Sequence, residues 1–392
     1  MATIIVGAYM VRYPLGGMMS WVFQHLAGFR ALGHDVYFVE KYVYDNSCYN
    51  PVTRSMNNDC SYGIKMTNDL LALTGLQNKW CFVDHQEHYH GLSKTKIETI
   101  FRQADCYIDL GTQNGWEEES QACKFRVLID GEPGFSQINC YNNDEMVSRY
   151  SRYNYFFTNG YNIGRKDNII PTGDIHWRHM YSPVDTTSFK TGSAPAKEAP
   201  FTTVMNWQSH KPISFKEKKY GQKDIEFTKF IQLPTLVGAN MEAAVSGKNI
   251  PFDLLRNYKW NIVNGTSATM SYQTFCDYIE NAKAEFSVCK NVFVALNTGW
   301  FSDKSAAFLA SGRPVVLQDT GFSEHLPCGA GLFAVNNVEE AAAAINEIEN
   351  NWHKHSKAAR EIAMECLDVK VVLKKMLNEL SEQTLEKYKL VL

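Results

Sequence analysis

Residues 299–324, GWFSDKSAAFLASGRPVVLQDTGFSE, constrain the fold more than any other stretch of this chain. Asp303 to Leu309 predicts a helix whose Ala306, Ala307, Phe308 and Leu309 press one face inward. Gly312 ends that helix, and Pro314, with no N–H to donate, keeps it from resuming. Val315, Val316 and Leu317 then read as a short strand buried on both faces, as in a parallel sheet. Ser302-Asp303-Lys304-Ser305 opens the helix, where free backbone N–H groups and the helix dipole favour an anion. Phe293 to Leu296 is predicted as the strand that feeds this unit.

The N-terminus repeats the pattern. TIIVGAY, residues 3–9, reads as a buried strand, followed by a loop carrying Pro14 and the pair Gly16-Gly17. A helix is expected from Ser20 to Leu32, then a strand from Val36 to Val39, which together make a βαβ unit. No G-x-G-x-x-G is present, so Gly16 and Gly17 are read as letting the backbone approach a ligand on the acceptor side. Further strands are predicted at 80–83, 106–110, 125–129 and 155–158, and helices at 66–73 and 97–103. In open α/β sheets, ligands gather at the carboxyl ends of strands, and Asp109, Asp130 and Glu132 fall there. Residues 182–200 are rich in Ser, Thr, Pro and Ala and read as an interdomain linker.

At 392 residues the chain is too long for one ordinary α/β core, so two domains are expected. A net charge of −3 gives no general electrostatic case for nucleic acid or an anionic membrane. The ten cysteines contain no C-x-x-C pair and read as buried thiols of a reducing, cytoplasmic compartment. No signal peptide is recognisable at the start, and no run approaches the roughly 18 to 20 apolar residues of a spanning helix. His85, His88 and His90 in DHQEHYH invite a metal, but without a second ligand pair they read as surface residues, so no metal is expected.

Two motifs in the right order resemble glycosyltransferases of the GT-B fold, in the superfamily of families 4 and 1. The first is LGGMMSWVFQHLAGFRALGHDVYFVE, residues 15–40; the second is ASGRPVVLQDTG, which looks like that fold's A-x-G-x-P-V-V-x-x-D-x-G segment. Val338-Glu339-Glu340-Ala341 and the helices after it extend the likeness. It implies an α/β chain of two Rossmann-like domains facing across a cleft. Residues 1–185 would form the acceptor domain, 186–367 the nucleotide-sugar domain, and 368–392 a helix crossing back to the first. Many relatives carry Glu-x7-Glu, but those positions fall on Gly299 and Ala307, which marks a divergent branch.

The implied reaction moves a sugar from a UDP- or GDP-type donor to an acceptor hydroxyl without a metal or other cofactor. Ser302, Lys304 and Ser305 are the candidates for the leaving diphosphate, while Asp303 either caps its helix or replaces the missing ribose carboxylate. The loop Thr320-Gly321-Phe322-Ser323, together with Trp207 and Lys211, would complete donor binding. Asp130 or Glu132 would act as general base, unless each merely holds turn N–H groups. The acceptor would be a small molecule, a glycan, or a hydroxylated base in DNA, with Arg149, Arg152, Arg165, Lys166, Arg178 and His179 along the phosphates. The loss of both Glu positions also suits a non-catalytic module that binds a nucleotide or glycan.

Overall fold

The computed structural model describes the chain apart from residues 112–114, 190, 192–193, 210 and 390–392, and its side chains as far as Leu380. The first half runs β1 (Thr3–Gly7), α1 (Gly16–Ala31), β2 (Asp35–Lys41), a hairpin of β3 (Cys48–Asn50) and β4 (Ser55–Asn57), and α2 (Ser61–Ala72). It continues through β5 (Trp80–Val83), β6 (Tyr89–Gly91), α3 (Lys94–Gln103), β7 (Cys106–Leu110) and β8 (Phe125–Asp130). It closes with α4 (Phe135–Asn142), α5 (Asp144–Tyr150), β9 (Tyr155–Thr158) and β10 (Trp177–His179). Eight of these strands form one sheet in the order β10-β9-β8-β7-β1-β2-β5-β6, parallel except for the β5–β6 hairpin.

The second half opens with β11 (Phe201–Asn206), a hairpin of β12 (Ile213–Phe215) and β13 (Lys218–Tyr220), then α6 (Lys223–Phe227) and α7 (Leu233–Leu236). β14 (Met241–Ser246), α8 (Phe252–Asn257), β15 (Asn261–Asn264), α9 (Gly265–Ala268) and α10 (Tyr272–Asn281) follow. Next come β16 (Ala284–Ser287), α11 (Asn291–Ala295), α12 (Asp303–Ala310), β17 (Val315–Gln318) and β18 (Leu332–Val335). The chain ends in α13 (Val338–Asn350), α14 (Trp352–Ile362) and α15 (Val369–Lys389). The second sheet is wholly parallel, in the order β15-β14-β11-β16-β17-β18. Both sheets therefore have the doubly wound order, with switch points between β1 and β7 and between β11 and β16.

The stretch 303–318 folds as its residues require. Ser302 caps α12 by accepting the Ser305 N–H at 3.4 Å, and all four residues of β17 are buried. One expected strand is not a strand: 293–296 belongs to helix α11 and the turn after it. The strand that feeds α12 is β16, Ala-Glu-Phe-Ser, whose Glu285 is fully buried. A charged residue at its centre broke the apolar run that reveals a buried strand, and Glu242 hid β14 in the same way.

The halves meet along α1 and α10. Gly16 N donates to Thr269 O at 2.6 Å, and the Phe23 and Tyr272 rings lie 5.1 Å apart. Gly160 pairs with Trp300 in an antiparallel bridge, and Arg165 Nη1 reaches Glu324 Oε2 at 2.6 Å. The segment after β10 and the start of α15 run side by side, with Val184 N on Leu367 O and Val369 N on Val184 O. From there α15 packs on α1, where a Cβ on Gly28 would lie 2.6 Å from Leu373 Cδ1.

Candidate active site at the interdomain cleft

Strand order decides where the site forms. At the β1/β7 switch point the chain leaves the sheet in opposite directions, opening a cavity of about 300 Å³. Tyr9, Leu110 and Gly111 line it from the strand ends, Asp130 and Glu132 from the loop after β8, and Gly17 from α1. Trp300 and Asp303, at the N-terminus of α12, close it from the second half. Carboxylates of one half thus face a helix N-terminus of the other.

Asp130 and Glu132 do different things. Asp130 is 3% exposed and accepts from Glu132 N, Ser136 Oγ, Gln137 Nε2 and Thr158 Oγ1 at 2.5 to 2.9 Å. Burial pushes its pKa up, and these four donors pull it back only in part. It holds the loop in shape. Glu132 is more open and takes Lys290 Nζ on both oxygens, at 2.5 and 2.6 Å, across the cleft. Asp109 turns from the cavity into the core, where Tyr153 Oη donates to it at 2.5 Å.

Sequence reasoning singled out one lysine here, and the fold brings three together. Lys304 pairs with the buried Glu285 and donates to Ser287 Oγ at 3.0 Å. Lys290 follows β16 and pairs with Glu132. Lys223 opens α6, and no described residue pairs with it. Burial and then the charge of Lys304 push its pKa down to about 8, with Lys290 adding to the effect. Its charge in turn reaches Asp303, whose pKa is raised by burial against the pull of Lys304 and Lys223. The short helix α6 is anchored by Glu226, which is fully buried and accepts from Asn291 Nδ2 at 2.7 Å and Gln318 Nε2 at 2.5 Å. Three lysines, one of them without a partner among the described residues, thus gather beside a helix N-terminus. Nothing local marks Lys223, which follows the β12–β13 hairpin, or Lys290, which follows β16 of the second sheet.

The other sequence-selected residues scatter. Ser302 and Ser305 are buried at the start of α12, and Ser305 Oγ has no partner among the described residues. Trp207 is 4% exposed and packs on Phe227 in the second core, a structural placement, while Lys211 is exposed. The 320–323 loop lies against the first half rather than along the cavity. Thr320 Oγ1 donates to Trp300 O, Phe322 is fully buried, and Ser323 Oγ donates to Asp319 Oδ2. Gly321 has φ +92°, and a Cβ there would fall 2.3 Å from Asn297 Oδ1 and 2.4 Å from Asn162 Nδ2. Gly16 and Gly17 also part company. A Cβ on Gly16 would lie 2.4 Å from Ser271 O, so this glycine serves the domain contact, whereas Gly17 opens onto the cavity.

No protein-family model matches the chain, and a search of curated proteins finds no match. Solved structures do match over nearly its whole length. An α-glucosyltransferase bound to UDP-glucose and DNA containing an abasic site has a TM-score of 0.55 at 11% identity, covering 97% of this chain and 98% of that one. Anabaena HepE bound to UDP-glucose has a TM-score of 0.55 at 11% identity, covering 97% and 100%. The pneumococcal O-GlcNAc transferase GtfA, bound to UDP and GlcNAc, has 0.52 at 12%, covering 97% and 99%. The chain has the GT-B fold. Glu132, which lines the cavity at the β1/β7 switch point, and Lys290 of the second half meet between the two sheets. No helix among the described residues is long and apolar enough to cross a membrane.

Proposed function

We propose that this chain is a glycosyltransferase that moves a sugar from a nucleoside-diphosphate donor, of UDP or GDP type, to an acceptor hydroxyl. The observation that carries the reading is the unpaired Lys223 beside Lys290, Lys304 and the α12 N-terminus, opposite Glu132. Residues 186–367 hold the donor, residues 1–185 the acceptor, and residues 368–392 tie the two. UDP-sugars in the similar structures favour a UDP donor.

In the reaction the bond from the anomeric carbon to the diphosphate oxygen breaks, and one to the acceptor oxygen forms. The three lysines and the Ser302–Ser305 N–H groups take up the charge left on the diphosphate. Glu132 receives the acceptor proton, and Asp130 positions the loop that carries it. Because Glu132 is held by Lys290 in the free protein, a diphosphate that draws Lys290 away also releases the carboxylate. As proposed, these steps use no metal. Ten free cysteines favour a reducing, cytoplasmic setting.

Thermal-shift and turnover measurements over UDP-, GDP-, ADP- and TDP-sugars test the reading. A stabilising nucleotide together with sugar transfer is expected. Binding with no turnover would leave a nucleotide-binding module, and no binding to any of them would end the proposal.

A DNA acceptor is the second reading, favoured by the DNA-bound α-glucosyltransferase of like fold. Several of the six basic residues meant for it are engaged elsewhere: Arg165 with Asp167 and Glu324, Arg178 over Tyr155 and near Glu379, and His179 Nε2 with Ile163 O. A small molecule or glycan therefore comes first. DNA binding that weakens steeply with salt would reverse the order.

A further inference from the structure

The DHQEHYH motif takes no part in the cleft. Asp84 follows β5, the chain turns through residues 84–88, and His90 lies on β6 paired with Phe82. The fold adds a residue that local sequence could not: Cys60, which precedes α2. The Cys60 Sγ, an Asp84 carboxylate oxygen and a His90 ring nitrogen all lie within 4.8 Å of one another. Asp84 Oδ2 is 2.8 Å from His90 Nε2 and 3.5 Å from His88 Nδ1.

We propose that Cys60, Asp84 and His90, with His88 as the fourth ligand, bind one divalent cation of zinc type. A thiolate, two imidazoles and a carboxylate are the donors that suit a tetrahedral zinc ion. With metal–ligand bonds of about 2.0 to 2.3 Å, ligand atoms in such a site lie roughly 3.3 to 3.8 Å apart. To reach that spacing the Asp84–His90 contact opens, and the exposed His88, which lies outside the three-residue group, turns in beside Asp84. The carboxylate is already oriented, because Asp84 Oδ1 accepts from Gln86 N at 2.8 Å and His88 N at 3.0 Å, leaving Oδ2 toward the histidines. Cys60 and His90 are half-buried beside the buried Asp84, so an ion can enter from solvent.

None of the four lines the cleft cavity, so the ion would be structural. It would fasten the β5–β6 hairpin to the start of α2. Two residues into that segment, Tyr62 Oη donates to Met270 O of the second half at 3.1 Å, which places the clamp next to a domain contact.

The test uses the full chain, kept reduced and stripped of metal, and titrated with Zn²⁺ and Co²⁺. One equivalent of each is expected to bind, with Co²⁺ giving the near-ultraviolet charge-transfer absorption of a thiolate ligand. Cys60→Ser is expected to abolish that absorption, while Cys140→Ser keeps it. His88→Ala and His90→Ala are each expected to weaken Zn²⁺ at least about tenfold. No stoichiometric uptake, or a charge-transfer band that survives Cys60→Ser, overturns the proposal. Nucleotide binding measured on the same samples reports on the cleft independently of this site.

Discussion

Glu132 and Lys290 come from opposite halves of the chain and form a two-oxygen ion pair across the mouth of the cleft, at 2.5 and 2.6 Å. Each neutralises the other until a ligand intervenes. Glu132→Gln is therefore expected to separate two effects. Turnover should fall about a hundredfold or more as the proton acceptor is lost, while donor affinity holds or rises because Lys290 is freed. Steady-state kcat and KM for the donor check this, and unchanged kcat would remove Glu132 from the reaction.

Lys223 ties donor binding to pH. Its folded pKa of about 8 lies below the ordinary lysine value, so the free protein lacks this charge above pH 8. A bound diphosphate favours the protonated form, and its affinity should be full below pH 8. Above that it should fall by up to about tenfold per pH unit. The same group lowers stability below pH 8, a penalty that fades as pH rises toward the ordinary value. Calorimetric titration of UDP from pH 7 to 9.5 should show the slope in the wild type and a flatter profile in Lys223→Arg.

Glu285 and Lys304 form a pair in which the carboxylate is wholly buried and the ammonium nearly so. Lys304→Met leaves that carboxylate unpaired and should cost about 3 kcal/mol or more of stability. Glu285→Gln combined with Lys304→Met should recover much of the loss. Urea melts of the two variants decide it: equal destabilisation would show that the pair is not coupled.

His25 lies within α1, fully buried, with Nδ1 donating to Trp21 O at 2.8 Å and Nε2 unpartnered among the described residues. Burial pushes its pKa down to about 4. The unfolded chain therefore takes up this proton first as pH falls from 6.5, and stability should drop by about 3 kcal/mol by pH 4. Denaturation midpoints at pH 7 and 4.5, with His25→Phe as the variant that loses this slope, measure the effect.

Gly16→Ala places a methyl 2.4 Å from Ser271 O and 2.6 Å from Phe275 Cβ. Backbone must move to accept it, with a cost of about 1 to 3 kcal/mol that falls on the contact between halves. Gly17→Ala meets nothing within 4 Å and should leave stability almost unchanged. Thermal unfolding of the two single variants makes the comparison.

The architecture was legible where hydrophobic patterning was uninterrupted. Val315-Val316-Leu317 and the helix before it could be read directly, as could the strands expected at 3–9 and 125–129, which form as Thr3–Gly7 and Phe125–Asp130. β14 and β16 were not, because Glu242 and Glu285 stand inside strands and find partners only in the folded chain: Tyr278 Oη for one, Lys304 for the other. The site was legible in outline only. Asp130, Glu132 and Asp303 were visible as polar residues at element ends, but nothing local distinguishes Asp130, which binds its own loop, from Glu132, which reaches across the cleft. Lys223, Lys290 and Lys304 are far apart in the chain and become one cluster only when β11 and β16 lie side by side.

The chain crosses between the halves twice, at Val184 and again at Leu367, and the two crossings are hydrogen-bonded to each other. Because α15 covers α1 through Gly28, Val369 and Leu373, the last segment of the chain completes the surface of its first domain. A gene cut once near residue 185 would thus yield an N-terminal fragment with a bare apolar stripe. Exchanging the donor half of this protein for that of another requires two splice points, and a graft that keeps α15 with its own α1 has the better prospect of remaining in solution.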